Sequence, residues 1–264
     1  MPTQSAVGQA AWRTLDFISD LHLQASCQAT FEAWQCYMAS TPADALFILG
    51  DLFEVWVGDD VLALQHQAEH PFENQCIHIL QQTSQRLPIF LLHGNRDFLL
   101  GNVFAQSCGV QLLADPCSLR FDEQNYLLSH GDALCLGDLD YQQFRRQVRS
   151  CVWRAEFLAK PLSERQSIAR QLRSQSELRK GSGAVYADVD SAMALQWLEA
   201  AQANTLIHGH THLPGDVALS STLSTNLRRT VLSDWDATSQ PPRLEVLRLC
   251  TGQKPQRIRL VSGL

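Results

Sequence analysis

The 264-residue chain has no C-x-x-C pair among its eight cysteines, no internal repeat and no heptad pattern. Scattered cysteines in a chain long enough to bury a large core are typical of reduced thiols, so a disulfide scaffold is not expected. No window approaches the about 18 uninterrupted apolar residues of a membrane helix, and the first residues lack the basic and apolar regions of a signal peptide. We therefore expect a cytoplasmic protein without a membrane span.

The charge is modest in amount and uneven along the chain. The sequence contains 21 Lys and Arg against 27 Asp and Glu, a formal net charge of −6, which argues against a surface that is basic throughout. Between Tyr141 and Lys180, however, ten basic residues stand against three glutamates. These cations are interleaved with apolar residues at helical spacing rather than with a stripe of exposed aromatics, so nucleic acid is not an expected partner.

Five short apolar runs, each closed by turn residues, predict five strands. They span 15–19, 45–49, 88–92, 125–129 and 204–208. Stretches of helical length lie between them at 29–40, 61–87 and 191–202. This alternation predicts an α/β domain with a central sheet. The later runs TVLSDW, LEVLRLC and RIRLVSG predict further strands, which we expect to be antiparallel.

Each predicted strand leads directly into side chains that can bind a metal ion. The five motifs are D-x-H, G-D, G-N-R-D, H-G-D and H-G-H-T-H. Because loops beyond the carboxyl ends of strands in an α/β sheet converge on the ligand, we expect the donors of all five loops to meet. The candidate ligands are Asp20, His22, Asp51, Asn95, His130, His208 and His210.

The number and type of these donors indicate more than one metal ion. Two carboxylates, four imidazoles and an amide carbonyl are too many for one tetrahedral zinc, but they suit two ions that share a bridging carboxylate. The mixture of nitrogen and oxygen favours Mn, Fe or Zn over Mg. Each motif alone is weak, because Asp and His are common in loops; the five together, in this order, carry the prediction.

The ordered set D-x-H, G-D, G-N-[RH]-[DE], H-G-D and G-H-[TS]-H, which runs from Asp20 to His212, resembles the motifs of the calcineurin-like metallophosphoesterases. Within that superfamily, four longer sequence segments resemble those of the pyrophosphatases that act on UDP-2,3-diacylglucosamine in bacterial lipid A synthesis. They are ILGDLFEVWVGDD, HGNRDFLLG, HGDALCLGDLDYQQFR and LIHGHTHLP. The resemblance implies an α/β fold, a four-layer sandwich of two facing sheets flanked by helices, over residues 13–252, with a helical lid insertion over 138–185.

The resemblance also implies roles for individual residues. One metal ion would be held by Asp20, His22, Asp51 and His210. The other would be held by Asp51, Asn95, His130 and His208, with Asp51 bridging. Two Mn²⁺ ions are expected, other divalent transition metals being possible. The implied catalytic residues are Asp51, Asn95, His130 and His208. The implied substrate contacts are Asn95, Arg96, Asp138, Tyr141, Ser176, Lys180 and His208.

The implied reaction is hydrolysis of UDP-2,3-diacylglucosamine to UMP and 2,3-diacylglucosamine 1-phosphate by a metal-activated water. The resemblance implies a peripheral association with the cytoplasmic face of the inner membrane, and we expect a monomer. The basic segment predicts a helix pair interrupted at Lys160-Pro161. Its apolar residues either bury the pair against the main domain or form a slot for acyl chains. A general calcineurin-like phosphodiesterase or nucleotide pyrophosphatase is the alternative enzyme, and a non-enzymatic interaction module on the same fold is the alternative class.

Overall fold

The computed structural model describes the backbone of residues 4–6, 9, 11–64, 71–181, 187–222 and 225–260, and the side chains of 9, 11–62, 72–174, 187–219 and 226–260. Within these ranges the strands are β1 Gln4–Ala6, β2 Thr14–Ile18, β3 Ala45–Ile48, β4 Ile89–Leu91, β5 Val110–Leu112, β6 Cys117–Phe121, β7 Gln124–Ser129, β8 Thr205–His208, β9 Gly215–Thr222, β10 Thr225–Val231, β11 Glu245–Cys250 and β12 Gln256–Arg259. The α-helices are α1 Gln28–Ser40, α2 Pro71–Ser84, α3 Asn102–Cys108, α4 Leu139–Val148, α5 Cys151–Leu158, α6 Leu162–Gly181 and α7 Ser191–Ala200.

The described strands form two mixed six-stranded sheets. In the first, the order is β12-β11-β2-β3-β4-β5, and β2 to β5 are parallel. In the second, the order is β1-β6-β7-β8-β10-β9, with β7 parallel to β8. The five predicted strands correspond to β2, β3 and β4 of the first sheet and to β7 and β8 of the second, so their carboxyl ends deliver the motif loops from both sheets.

The C-terminal strands agree in part with the expectation of antiparallel pairing. β11 runs antiparallel to both β2 and β12, as expected. β10, which contains the start of the TVLSDW run, pairs parallel to β8 and antiparallel only to β9. The prediction was wrong for β10. The chain passes through β9 before it returns beside β8, so β10 runs in the same direction as β8, and this path is not visible in the local pattern.

Alternating side chains of the strands fill two apolar layers. Phe17, Phe47 and Phe90 face the second sheet, where Leu128 and Ile207 meet them. The Phe47 ring stacks on Phe17 at 5.0 Å and on Phe90 at 4.8 Å between centroids. The opposite face of the first sheet packs on α1, α2 and α3, and that of the second sheet on α7. The expected four-layer α/β sandwich is thereby confirmed.

Three helices, α4 to α6, lie between β7 and α7 where a helix pair was expected. The predicted interruption at Lys160-Pro161 is present. A further break separates α4 from α5, because the Ser150 side chain accepts a hydrogen bond from the Trp153 backbone N–H and begins a new helix. None of the helices in the described ranges is both long and apolar enough to cross a bilayer.

A buried arginine fastens the α4–α6 segment to the main domain. Arg165 of α6 is only 1% exposed, and its guanidinium donates to the Val57 carbonyl and to both carboxylate oxygens of Asp60. Its Nε donates to the Lys160 carbonyl, two residues before the same helix begins. The cost of burying this cation is offset by these bonds, which hold α6 beside the loop that follows β3.

Candidate metal centre

The motif loops are joined to one another by backbone hydrogen bonds. Asp20 N–H donates to the Gly50 carbonyl at 3.1 Å, and His22 N–H donates to the Asp51 carbonyl at 3.0 Å. Gly209 N–H donates to the His130 carbonyl at 3.0 Å, which joins the two loops of the second sheet. The loops therefore form one connected surface at the carboxyl ends of the strands.

Backbone strain is concentrated in these loops. Eight described non-glycine residues have a positive φ, and five of them lie here: Asp20, His22, Asp51, His210 and His212, with φ between 49° and 67°. Left-handed backbone is costly for residues with a Cβ and persists where the surrounding structure imposes it, as at functional sites. His208, at the end of a regular strand, is not among the eight.

Gly94 permits the closest approach between two of the loops. A Cβ at this position would lie 2.0 Å from Asp51 Oδ1 and 2.2 Å from the Asp51 backbone nitrogen, distances that no side chain can occupy. The missing side chain lets the loop after β4 lie directly on the loop after β3. Asp97 holds the same pair of loops together by accepting hydrogen bonds from Leu52 N–H at 2.8 Å and Gly94 N–H at 2.7 Å.

A first cluster of donor atoms contains Asp20, His22 and His212, whose ligand atoms all lie within 4.8 Å of one another. His212 Nε2 lies 3.3 Å from Asp20 Oδ1 and 3.4 Å from His22 Nε2. Asp20 Oδ1 is buried and accepts no hydrogen bond from the described residues. A buried carboxylate oxygen left without a donor and facing two imidazole nitrogens fits a transition-metal ion.

A second cluster contains Asp20, Asp51 and His130, also within 4.8 Å of one another. His130 Nδ1 donates to the Leu49 carbonyl at 2.9 Å, and its Nε2 lies 3.7 Å from Asp51 Oδ2 and 3.0 Å from Asn95 Oδ1. His210 Nδ1 lies 2.9 Å from the same Asn95 oxygen. The position between these oxygens suits a positive charge, which is a proton on Nε2 in the metal-free protein and can be a metal ion in its place.

Asp51 faces both clusters. Its Oδ2 lies 3.8 Å from His22 Nε2 and 3.7 Å from His130 Nε2. Its other oxygen accepts a hydrogen bond from Arg96 N–H at 2.8 Å, which fixes the carboxylate against the loop after β4. This is the geometry required of a carboxylate shared by two ions, and the residues present fit a pair of divalent metals.

Burial and mutual charge shift the pKa of several of these groups. Burial alone would lower the pKa of His130, but the charges of Asp51 and Asp20 outweigh it and raise the pKa to about 9. For Asp20, burial would raise the pKa, but the contact with His212 and the charges of the neighbouring imidazoles outweigh it, so the pKa lies well below the ordinary value. Burial and the charge of His130 lower the pKa of His210 to about 3.

We expect the metal-free protein to lose stability as the pH rises from neutral to about 9. The pKa of His130 is above its unfolded value of 6.5, so its stabilising contribution is complete below pH 6.5 and is lost as the pH rises through about 9. The measurement is the Tm in EDTA across this range, with His130→Gln as the control that lacks the titration. Equal pH dependence for the two proteins would contradict the shift.

The predicted ligand His208 lies at the end of β8. It is fully buried, its Nδ1 donates to the Gly209 carbonyl at 2.9 Å, and burial lowers its pKa to about 4. Its Nε2 is buried without a hydrogen-bond partner among the described residues, which fits a nitrogen that binds a metal ion. His212, which was not a predicted ligand, lies in the first cluster, and the His210 ring contacts Asn95 and His130 of the second cluster.

A carboxylate that the sequence analysis did not single out also lies at the first cluster. Glu54 Oε2 is 3.0 Å from His22 Nδ1. Burial would raise the pKa of this carboxyl, but the contact with His22 and the charges of Arg96 and Arg173 lower it. The only sequence signal is its position three residues after Asp51 in the word GDLFE, which no spacing rule marks as functional.

An apolar groove of about 630 Å³ opens beside the clusters, between the motif loops and the α4–α6 segment. Asn95, Arg96, Asp138 and Tyr141 line it, as do the apolar side chains of Val55, Trp56, Val57, Phe98, Leu99, Phe144, Trp153, Phe157 and Leu172. The side chains of Ser176 and Lys180 lie outside the described residues.

Two of the groove residues, Asp138 and Tyr141, also make hydrogen bonds that stabilise the start of α4 and connect it to a motif loop. Asp138 Oδ1 accepts from Tyr141 N–H at 3.0 Å and so caps α4. The Tyr141 hydroxyl donates to Asp132 at 2.6 Å, and its ring lies 5.9 Å from that of His210. Asp132 of the H-G-D motif also accepts from Arg145 at 2.7 Å. The inner wall of the groove is therefore bound to the loop that carries His130.

The model of the calcineurin-like phosphoesterase family matches residues 13–214. The UDP-2,3-diacylglucosamine hydrolase of Bordetella pertussis is 39% identical over 229 residues, which cover 85% of this chain and 87% of the relative. The proteins of the same name from Chromobacterium violaceum and Shewanella pealeana are 40% and 41% identical over 230 residues, covering 84% of this chain and 90% of each relative. The chain therefore belongs to the calcineurin-like phosphoesterases, which are metal-dependent hydrolases, and within them to the family of the UDP-2,3-diacylglucosamine hydrolases.

Proposed function

We propose that the protein hydrolyses the pyrophosphate bond of UDP-2,3-diacylglucosamine, giving UMP and 2,3-diacylglucosamine 1-phosphate. The observation that carries the proposal is the junction of the groove with the donor clusters. Asn95 lines the groove and also contacts His130 and His210, so a lipid lying in the groove brings its phosphates to the metal ligands. The names of the relatives support the same substrate.

The ligand sets that we propose are those that the resemblance implies, and the buried, unpartnered Nε2 of His208 supports them. One divalent cation is assigned to Asp20, His22, Asp51 and His210, with His212 beside it, and the other to Asp51, Asn95, His130 and His208. We propose Mn²⁺ for both, because a mixture of imidazole, carboxylate and amide donors suits it. Bound there, the cations would activate a water and neutralise phosphate charge.

The chain's own residues position the reactants around these sites. Arg96 lies at the groove beside Asn95, where a planar guanidinium can donate two parallel hydrogen bonds to a phosphate. The Leu49 carbonyl fixes the tautomer of His130, and the Arg96 backbone N–H fixes the orientation of Asp51. These contacts keep the donor atoms in place before substrate arrives, which lowers the cost of reaching the reactive geometry.

The α4–α6 segment supplies the apolar side of the groove. Burying one acyl CH₂ group is worth about 0.8 kcal/mol, so even part of a long chain contributes several kcal/mol to binding. The segment also exposes Leu139, Val152, Leu158 and Leu172. Exposed apolar side chains together with a basic segment support a further proposal, peripheral contact with the anionic cytoplasmic face of the inner membrane.

A substrate panel tests the proposal. With Mn²⁺ present, we expect kcat/KM for UDP-2,3-diacylglucosamine to exceed that for UDP-N-acetylglucosamine and for bis-p-nitrophenyl phosphate by about a thousandfold or more, since several kcal/mol of acyl burial are available only to the first. Similar values for all three compounds would favour the alternative, a general phosphodiesterase or nucleotide pyrophosphatase.

Ala169→Trp tests the acyl role of the groove without touching the metal ligands. Ala169 lines the groove from α6, so the larger ring would fill space needed by an acyl chain. We expect kcat/KM for the diacylated substrate to fall about tenfold to a hundredfold, while cleavage of bis-p-nitrophenyl phosphate stays near the original rate. Ala155→Trp, at an exposed position on α5, is the matched control. Equal losses on both substrates would show that the groove does not hold the lipid.

A further inference from the structure

Glu54 lies where the loop after β3 meets the loop after β2. Its backbone N–H donates to the Leu23 carbonyl at 3.2 Å, and Leu23 and Phe53 form an isolated parallel bridge. This short pairing sets the register between the two loops and brings the Glu54 side chain beside His22. The side chain is 11% exposed, so its charge depends on its protein partners rather than on water.

Three positively charged or basic side chains surround this carboxylate. His22 Nδ1 lies 3.0 Å from Glu54 Oε2. On the other oxygen, Arg96 Nη1 lies at 3.5 Å and Arg173 Nε at 3.3 Å. The three come from the loop after β2, the loop after β4 and α6, so one carboxylate joins a metal ligand, a groove arginine and the α4–α6 segment.

We propose that Glu54 is a positioning residue for the metal centre: it holds the His22 ring so that Nε2 faces Asp20 and Asp51, and it fixes Arg96 and Arg173 at the groove. The proposal rests on the proposed function, because it assumes a cation at the first cluster. A carboxylate attracts the single proton of a neutral imidazole to the nearer nitrogen, which leaves the far nitrogen free as a ligand. His22 Nε2 is the atom that lies 3.9 Å from Asp20 Oδ1 and 3.8 Å from Asp51 Oδ2.

Glu54→Gln tests this role because it keeps the size of the side chain and removes the charge that orients the imidazole. We expect Mn²⁺ to bind the first cluster about 10- to 100-fold more weakly, the usual effect of removing such a partner, as measured by calorimetric titration of Mn²⁺ into metal-free protein. Glu164→Gln on α6 is the matched control: its side chain is 47% exposed and pairs only with Lys160 within the described residues, so Mn²⁺ affinity is expected to stay unchanged.

A second measurement needs no variant at Glu54, so it tests the role of Glu54 even if Glu54→Gln fails to fold. In the Zn²⁺-loaded full chain, ¹⁵N NMR of labelled histidine, with the His22 signal assigned from His22→Gln, is expected to show the proton on Nδ1. A proton on Nε2, or Mn²⁺ affinity of folded Glu54→Gln equal to the original, would overturn the role of Glu54. Original protein that binds no Mn²⁺ would instead overturn the proposed function, so the two failures are distinguishable.

Discussion

Asp51→Ala is expected to lower kcat for UDP-2,3-diacylglucosamine by about a thousandfold or more. Asp51 Oδ2 lies between His22 and His130 of the two clusters, so its loss removes an oxygen ligand from both proposed ions at once. Metal activation of water and stabilisation of phosphate charge are worth several kcal/mol, and about 1.4 kcal/mol corresponds to a factor of ten in rate. The measurements are steady-state kinetics at saturating Mn²⁺ and the amount of Mn²⁺ retained after dialysis.

The Asp51 variant is expected to stay folded. In the metal-free protein Asp51 is one of several crowded buried carboxylates, and after burial its charge is the next cause that raises the pKa of Asp97, to about 6. Removing it relieves this repulsion and also removes the attraction to His130, so the two effects oppose each other and we expect the Tm in EDTA to stay close to that of the original protein. Asp216→Ala, on the exposed strand β9, is the control for loss of a carboxylate elsewhere. A variant that turns over at near-normal rate would contradict a shared carboxylate.

His208→Ala and His212→Ala are expected to behave differently, although the two residues lie in one motif. His208→Ala removes a fully buried nitrogen that has no hydrogen-bond partner among the described residues, so we expect loss of about one equivalent of Mn²⁺ and a fall in kcat of about a hundredfold or more. His212→Ala removes a ring that is 33% exposed and lies outside both proposed ligand sets, so we expect both ions to be retained and kcat to fall by less than about tenfold.

Metal content by plasma mass spectrometry, kcat and Tm, measured on both variants, separate the two assignments. The proposed ligand sets require that metal loss follow His208. If His212→Ala loses the ion and His208→Ala keeps it, the proposed sets are wrong and His212 takes the place of His208. His78→Ala, on α2 and far from the motif loops in the sequence, is a neutral reference for both readouts.

The sequence was sufficient to predict the sheet architecture and the loops that lie together at the strand ends, because both are local signals. A continuous apolar run that ends on Asp20 or His130 predicts both a strand and the loop that follows it. The surroundings of His208 and His212 are not local in this sense. H-G-H-T-H contains two overlapping H-x-H pairs with equal spacing, and only the end of β8 shows that His208 is fully buried while His212 stays 33% exposed.

Other features depended on long-range contacts that no local pattern records. Glu54 lies beside His22 because Leu23 pairs with Phe53, and these two residues belong to different loops. The second helix of the α4–α6 segment, α5, is capped by Ser150, a residue type that is common inside helices as well as at their starts. β10 follows β8 as a parallel neighbour only after the chain has passed through β9. In each case the deciding partner is distant in sequence.

Each donor cluster draws residues from both sheets: Asp20 and His22 follow β2 while His212 follows β8, and Asn95 follows β4 while His130 follows β7. The spacing between the two proposed cations therefore depends on the stacked rings of Phe17, Phe47 and Phe90, which lie between the sheets, and not on any one loop. A cavity made in that aromatic layer would let the halves of the molecule shift against each other. The turnover rate would then fall when a substitution disturbs this aromatic layer, even though the substitution lies far from the bound phosphate and leaves the protein folded. The rate therefore also reports how well the interior is packed.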